Sequence, residues 1–166
     1  REGEQEETEP GYRWLRTELR KEFEAFLDVT TKYYSYIEEA KAQNPDFKPN
    51  DPTFGQLYGA FSSVWRKRML HADVAGYGKT TQEIVAAIMD ELVNGRRPTI
   101  VFGPNSAKEV WEAEVKKNHP RGDVLVVNSY DPATLGGMQG RDFVVMNYEA
   151  AGMPVTRKKV IPVLRR

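Results

Sequence analysis

Asp73-Val74-Ala75-Gly76-Tyr77-Gly78-Lys79-Thr80 is the stretch on which the reading of this 166-residue chain turns. The apolar pair Met69-Leu70 leads into it, and apolar residues at helical spacing lead out of it from Thr80 to Leu92. That pattern predicts a strand over Met69–Asp73, a tight loop, and a helix over Thr80–Asn94 closed by Gly95. The chemistry of such a loop is that of a phosphate cradle. Gly76 and Gly78 let the backbone turn its N–H groups toward one point, in conformations that a side chain obstructs. The helix N-terminus adds partial positive charge. In this setting Lys79 reaches for β/γ-phosphates and the Thr80 hydroxyl for Mg²⁺, with Asp73, Gly76, Tyr77, Gly78 and Thr81 completing the candidate cofactor set. The strict pattern begins with Gly where this loop has Asp73, and the competing reading is an ordinary turn that starts a helix.

Downstream of the loop, short apolar runs alternate with amphipathic segments. Strands are predicted at Pro98–Phe102, Val124–Val127 and Phe143–Met146, with a helix over Ala107–Asn118. This alternation argues for an α/β fold with a parallel sheet, whose ligands bind outside the carboxyl ends of the strands. Upstream the pattern is helical. Leu15, Leu19, Phe23, Phe26, Thr30, Tyr33, Tyr34 and Ile37 recur at three- and four-residue steps and predict one long helix from about Tyr12. Asn44-Pro45 ends it, and the breaker-rich Pro45–Pro52 reads as a linker. A second helix places Phe54, Leu57, Tyr58, Phe61, Val64 and Trp65 on one face. Tyr33, Tyr34 and Tyr36 suit helix packing better than a base-stacking platform.

Twenty-four basic residues balance twenty-four acidic ones, so net charge selects no polyanionic partner. The ends differ: residues 1–10 hold five Glu, and residues 157–166 hold five Lys or Arg. Residues 1–11 read as a disordered acidic tail, and residues 151–166 as a basic tail or an extra strand. The chain has no Cys, which excludes disulfides and thiolate metal sites and fits a reducing compartment. No run approaches membrane-spanning length and no signal-peptide pattern opens the chain. Its first residue, Arg1, gives the sequence the look of an excised piece. His71 and His119 are isolated and read as structural rather than metal-binding.

Three further segments gain weight from their order around the loop. Gln56 stands upstream, in Phe54-Gly55-Gln56-Leu57-Tyr58-Gly59. Pro104, Asn105, Ser106, Lys108, Trp111 and Glu114 follow the second predicted strand, and Asn147-Tyr148-Glu149 the last one. Together with Asp73–Thr80 and Gln82, these resemble the first half of a superfamily-two helicase motor, most closely the Swi/Snf-type DNA translocases. That family writes its loop D-E-M-G-x-G-K-T, so Asp73 fits it. Val74-Ala75, Ala107 and the missing Thr before Tyr148 depart from it.

The resemblance implies a RecA-like lobe over residues 53–150, preceded by a helix and linker over residues 12–52. It implies ATP and Mg²⁺ as cofactors, Lys79 and Thr80 as catalytic residues, Thr80 as metal ligand and Gln56 as adenine reader. Pro104, Asn105, Ser106, Lys108 and Tyr148 would contact the backbone of nucleic acid, with double-stranded DNA favoured as partner. The family's acidic box and second motor lobe do not occur here. Asp90-Glu91, the only Asp-Glu pair, reads as a surface pair in mid-helix. The expectation is therefore an ATPase in the parent protein and an ATP-binding but inactive fragment here, with an intracellular location, nuclear in a eukaryote and cytoplasmic in a prokaryote. A P-loop NTPase of another branch, or a helical interaction module with a structural loop, are the alternatives.

Overall fold

The computed structural model describes residues 10–67, 69, 76–127, 137, 138 and 140–149. Helix α1 spans Pro10–Gln43, α2 Phe54–Arg66 and α3 Lys79–Asn94. Strand β1 (Thr99–Gly103) leads through a 3₁₀ turn at Asn105–Ala107 into α4 (Lys108–Asn118). Strands β2 (Val124–Val127) and β3 (Phe143–Asn147) follow. The strands form a parallel sheet in the order β1-β3-β2, with Thr99 and Val124 both level with Phe143. The architecture is α/β, a small parallel sheet flanked by helices. Among the described residues no helix is long and apolar enough to cross a membrane.

The central strand β3 is buried from Phe143 to Met146, as a strand covered on both faces must be. Its period of two divides the core. Phe143 joins the cluster under α1, α2, α3 and α4, with Ile84, Ile88, Met89, Phe61 and Val115. Val144 and Met146 face the other way, against Val127, Met138, Ile100 and Leu125. Helix α1 spans Pro10, a residue favoured in the first helical turn, and Gly11, so the last two residues of the expected tail are helical, and the others lie outside the described residues. The helix expected from Ala107 starts at Lys108 because Asn105–Ala107 winds as a 3₁₀ turn.

Pro45–Pro52 is more than a linker. Phe47 is buried in the main core, and Pro52 is buried too. The Asn50 N–H donates to Asn118 Oδ1 at 2.8 Å, while Asn118 Nδ2 donates to Glu114 Oε2 at 2.8 Å. Glu114 thereby orients the amide that pins the segment to α4. The tyrosines behave as packing residues: Tyr33 is 2% exposed in the core, and burial raises its phenol pKa, with Tyr34 and Asp51 adding to the rise.

Candidate nucleotide site

Helix α3 fixes where the glycine loop lies. Near its C-terminus, Glu91 accepts a close hydrogen bond from Arg121 Nη2, and Arg121 also grips Asp142, the residue immediately before β3. The C-terminal end of α3 therefore sits at the edge where the parallel strands begin. Sixteen residues at 1.5 Å each carry the helix about 24 Å back, longer than a five-residue strand of about 17 Å. The carboxyl ends of the strands form the opposite edge. At that edge, register places Gly103 beside Asn147, so Pro104 and Tyr148 emerge side by side.

The two helix starts near the loop are built differently. Helix α2 has a complete capping box. Thr53 Oγ1 accepts from the Gln56 N–H, and Gln56 Oε1 accepts from the Thr53 N–H at 2.9 Å. Helix α3 starts from Gly78 at φ 77°, a residue with no side chain to cap it. Gly76, two residues earlier, has φ 87°. Left-handed backbone at both positions is what glycine permits, and the first turn of any helix carries N–H groups that lack intrahelical partners.

Gln56 also reaches the loop. Its Nε2 donates to the carbonyls of Tyr77 at 3.1 Å and Gly78 at 3.3 Å. A Cβ on Gly78 would stand 2.4 Å from that nitrogen, and one on Gly59 would stand 2.6 Å from Gln82 Nε2. A side chain at either position would push the Gln56 or Gln82 amide aside, and at Gly78 the positive φ adds backbone strain. An open cavity of about 580 Å³ lies against this junction, lined by Asn50, Asp51, Thr53, Gln56, Gly76, Tyr77, Gly78 and Thr81. Its size suits a nucleoside. Thr81 is buried, while Lys79 and Thr80 are half-buried. The predicted strand Met69–Asp73 lies outside the described residues except for Met69, which is in no strand. Asp73, His71 and residues 151–166 also lie outside them.

The candidate nucleic-acid residues fall into two groups. Pro104, Asn105, Ser106 and Tyr148 are exposed at the carboxyl edge of the sheet. Lys108 is 4% exposed, so a phosphate contact there needs the side chain to leave its burial. Trp111 packs against the main core, and Ser106 does not cap the 3₁₀ turn.

The opposite edge holds an ionic network that sequence reasoning missed. Arg121 Nε donates to Asp142 Oδ2 at 2.9 Å, its Nη2 to Oδ1 at 2.8 Å, and its Nη1 to the Tyr36 hydroxyl at 3.1 Å. Arg96 Nε adds a bond to Asp142 Oδ1 at 2.9 Å. Asp90 lies at the surface as expected, bonded to Arg97 and Asn94, while Glu91, its side chain 23% exposed, binds Arg121. Burial pushes the Asp142 carboxyl up, but Arg121, His119 and Arg96 together outweigh it and hold its pKa below the usual value. Glu91, His119 and Asp142 converge as metal ligands might be arranged. The Arg121 guanidinium already supplies the cation between the two carboxylates, so the cluster reads as an ion-pair hub. No local pattern marks it, because Arg121 and Asp142 are 21 residues apart.

No known protein family, curated protein or solved structure matches the chain.

Proposed function

We propose that the chain is the ATP-binding, RecA-like first lobe of a helicase-like DNA translocase. The observation that carries the reading is the glycine turn at the start of α3, where Gly76 and Gly78 take positive φ beside the half-buried Lys79. In this reading the first-turn N–H groups and Lys79 hold the β/γ-phosphates, and Thr80 holds Mg²⁺, which would neutralise phosphate charge. The base occupies the cavity beside Gln56. Both Gln56 donors already serve loop carbonyls, so its contribution to adenine is as an acceptor: Oε1 takes the exocyclic N–H with its remaining lone pair. Pro104, Asn105, Ser106 and Tyr148 offer the nucleic-acid face, exposed at the carboxyl edge of the sheet. Hydrolysis belongs to the parent protein, since the only Asp-Glu pair of this sequence is committed elsewhere on α3.

Calorimetry with ATP and Mg²⁺, paired with a phosphate-release assay, tests the reading. Binding without turnover is expected. Lys79→Ala should weaken ATP by roughly 1.5–3 kcal/mol, the range for a hydrogen bond to a charged group, which is about tenfold to a hundredfold in affinity. Equal ATP affinity in the variant would overturn the assignment of the loop.

A further inference from the structure

Asp51 is held in place by its neighbours on both sides. The Asn50 N–H before it donates to Asn118 Oδ1 at 2.8 Å, and Pro52 after it is buried. A residue that precedes proline is also held to extended backbone. No hydrogen bond or ion pair joins the Asp51 carboxylate to another described residue, although the phenols of Tyr33 and Tyr34 feel its charge. Asp51 lines the cavity of about 580 Å³ beside Gln56, and it is the one formally charged side chain among the described residues that line it.

We propose that Asp51 reads the sugar of the bound nucleotide, its carboxylate accepting hydrogen bonds from the 2′- and 3′-hydroxyls of a ribose. The assignment rests on the nucleotide reading above. An ionised carboxylate accepts and never donates, so it repels the triphosphate and keeps the nucleoside end of the ligand on its side of the cavity. Adenosine offers donors of two kinds, the exocyclic amine and the two hydroxyls. Gln56 Oε1 takes the amine in that reading, which leaves the hydroxyl pair, two donors side by side, for the two carboxylate oxygens. Hydrogen bonds to an ionised acceptor are roughly twice as strong as neutral ones. A carboxylate so placed selects a ribonucleotide over a sugar that lacks the hydroxyls.

Calorimetry on the full chain with Mg²⁺, comparing ATP with 2′,3′-dideoxyATP, tests the assignment. The native chain is expected to bind ATP about tenfold more tightly, the ratio that a hydrogen bond to a charged group supports. Asp51→Ala should bring that ratio to about one, and Asp51→Asn, which keeps the shape and one acceptor oxygen, should fall between. Melting without nucleotide should match the native chain in both variants, which separates lost recognition from lost fold. Equal affinity of the native chain for the two nucleotides would overturn the assignment and leave the nucleotide reading standing. A preference that survives Asp51→Ala would overturn it as well. A native chain that binds neither nucleotide would overturn the nucleotide reading, and this assignment with it.

Discussion

Acidification from pH 7 to pH 5 is expected to remove about 2 kcal/mol of folding stability through one side chain, His119. Its ring is 2% exposed and meets Phe143 edge-on at 5.6 Å. Nδ1 lies 3.7 Å from Asp142 Oδ2, and Nε2 lies 4.0 Å from Glu91 Oε2, both beyond hydrogen-bond distance. Burial, aided by the Arg121 and Arg96 charges, outweighs the pull of the carboxylates and lowers the His119 pKa from 6.5 to about 4. The fold therefore keeps the ring neutral, whereas the unfolded chain takes up the proton near 6.5. Between those values the unfolded state binds more protons, so stability is complete above 6.5 and is lost as the pH falls toward about 4. The whole interval amounts to about 3 kcal/mol at 1.36 kcal/mol per unit. The depressed Asp142 carboxyl acts below this window: its contribution is present above the unfolded value and is lost as the pH falls through the folded one. Urea unfolding of the native chain and of His119→Gln at pH 7, 6 and 5 isolates the term, because the amide does not titrate there. An NMR titration placing His119 near 6.5, or an equal pH slope in the variant, would refute the reasoning.

Arg121→Ala should cost about 2–3 kcal/mol, below the 3–5 kcal/mol typical of breaking a buried pair, because Arg96 still faces Asp142. Thermal melting checks this as a drop of roughly 4–12 °C at 2–4 °C per kcal/mol; a change within measurement error would reduce the network to a surface ion pair. Lys67→Gly should stabilise the chain by about 1 kcal/mol, since Lys67 closes α2 at φ 60° and a side chain is strained there. Denaturant unfolding reads that gain, and a loss would place an unrecognised contact on the Lys67 side chain. Gln56→Ala should cost about 1–2 kcal/mol, from the reciprocal cap and the two loop bonds. In nucleotide titrations it should narrow the preference for ATP over GTP and leave inorganic triphosphate less affected.

How far the sequence reveals this molecule depends on the range of each interaction. Val124–Val127 is predicted to the residue, and Phe54 and Phe143 start their elements as expected, because period and punctuation are local signals. Thr53 and Gln56 carry the Thr-x-x-Gln signature of a capping box, which a closer reading of the same four residues would have found. Pairing is another matter. β3 inserts between β1 and β2 although it follows both in sequence, and nothing in three short Val-rich runs orders them. Asn50 finds Asn118 across 68 positions, and Arg121 finds Tyr36 across 85. Such contacts depend on which helix faces bury together, so a breaker-rich stretch that looks like a linker becomes part of the core.

That long-range network bears on the loop at the other end of α3. Phosphate recognition by backbone N–H groups tolerates little displacement, and a site works only as well as the elements that hold it are fixed. Burial of Ile84, Val85, Ile88 and Met89 sets the rotation of α3 about its axis. Apolar contacts of this kind are weak restraints on sliding along the axis, because a helix surface repeats every turn. Directional bonds supply what packing lacks. Glu91 is tied through Arg121 to Asp142, whose carbonyl accepts from the Thr99 N–H at 2.8 Å where β1 begins. At the loop end, Gln56 holds the carbonyls of Tyr77 and Gly78 from α2. The helix is thus restrained at both ends by hydrogen bonds to different elements. Loosening Arg121 should then weaken nucleotide binding from about 18 Å along the helix without touching the loop, an effect that binding titrations of Arg121→Ala, run well below its melting temperature, would detect as a loss of affinity beyond the unfolded fraction.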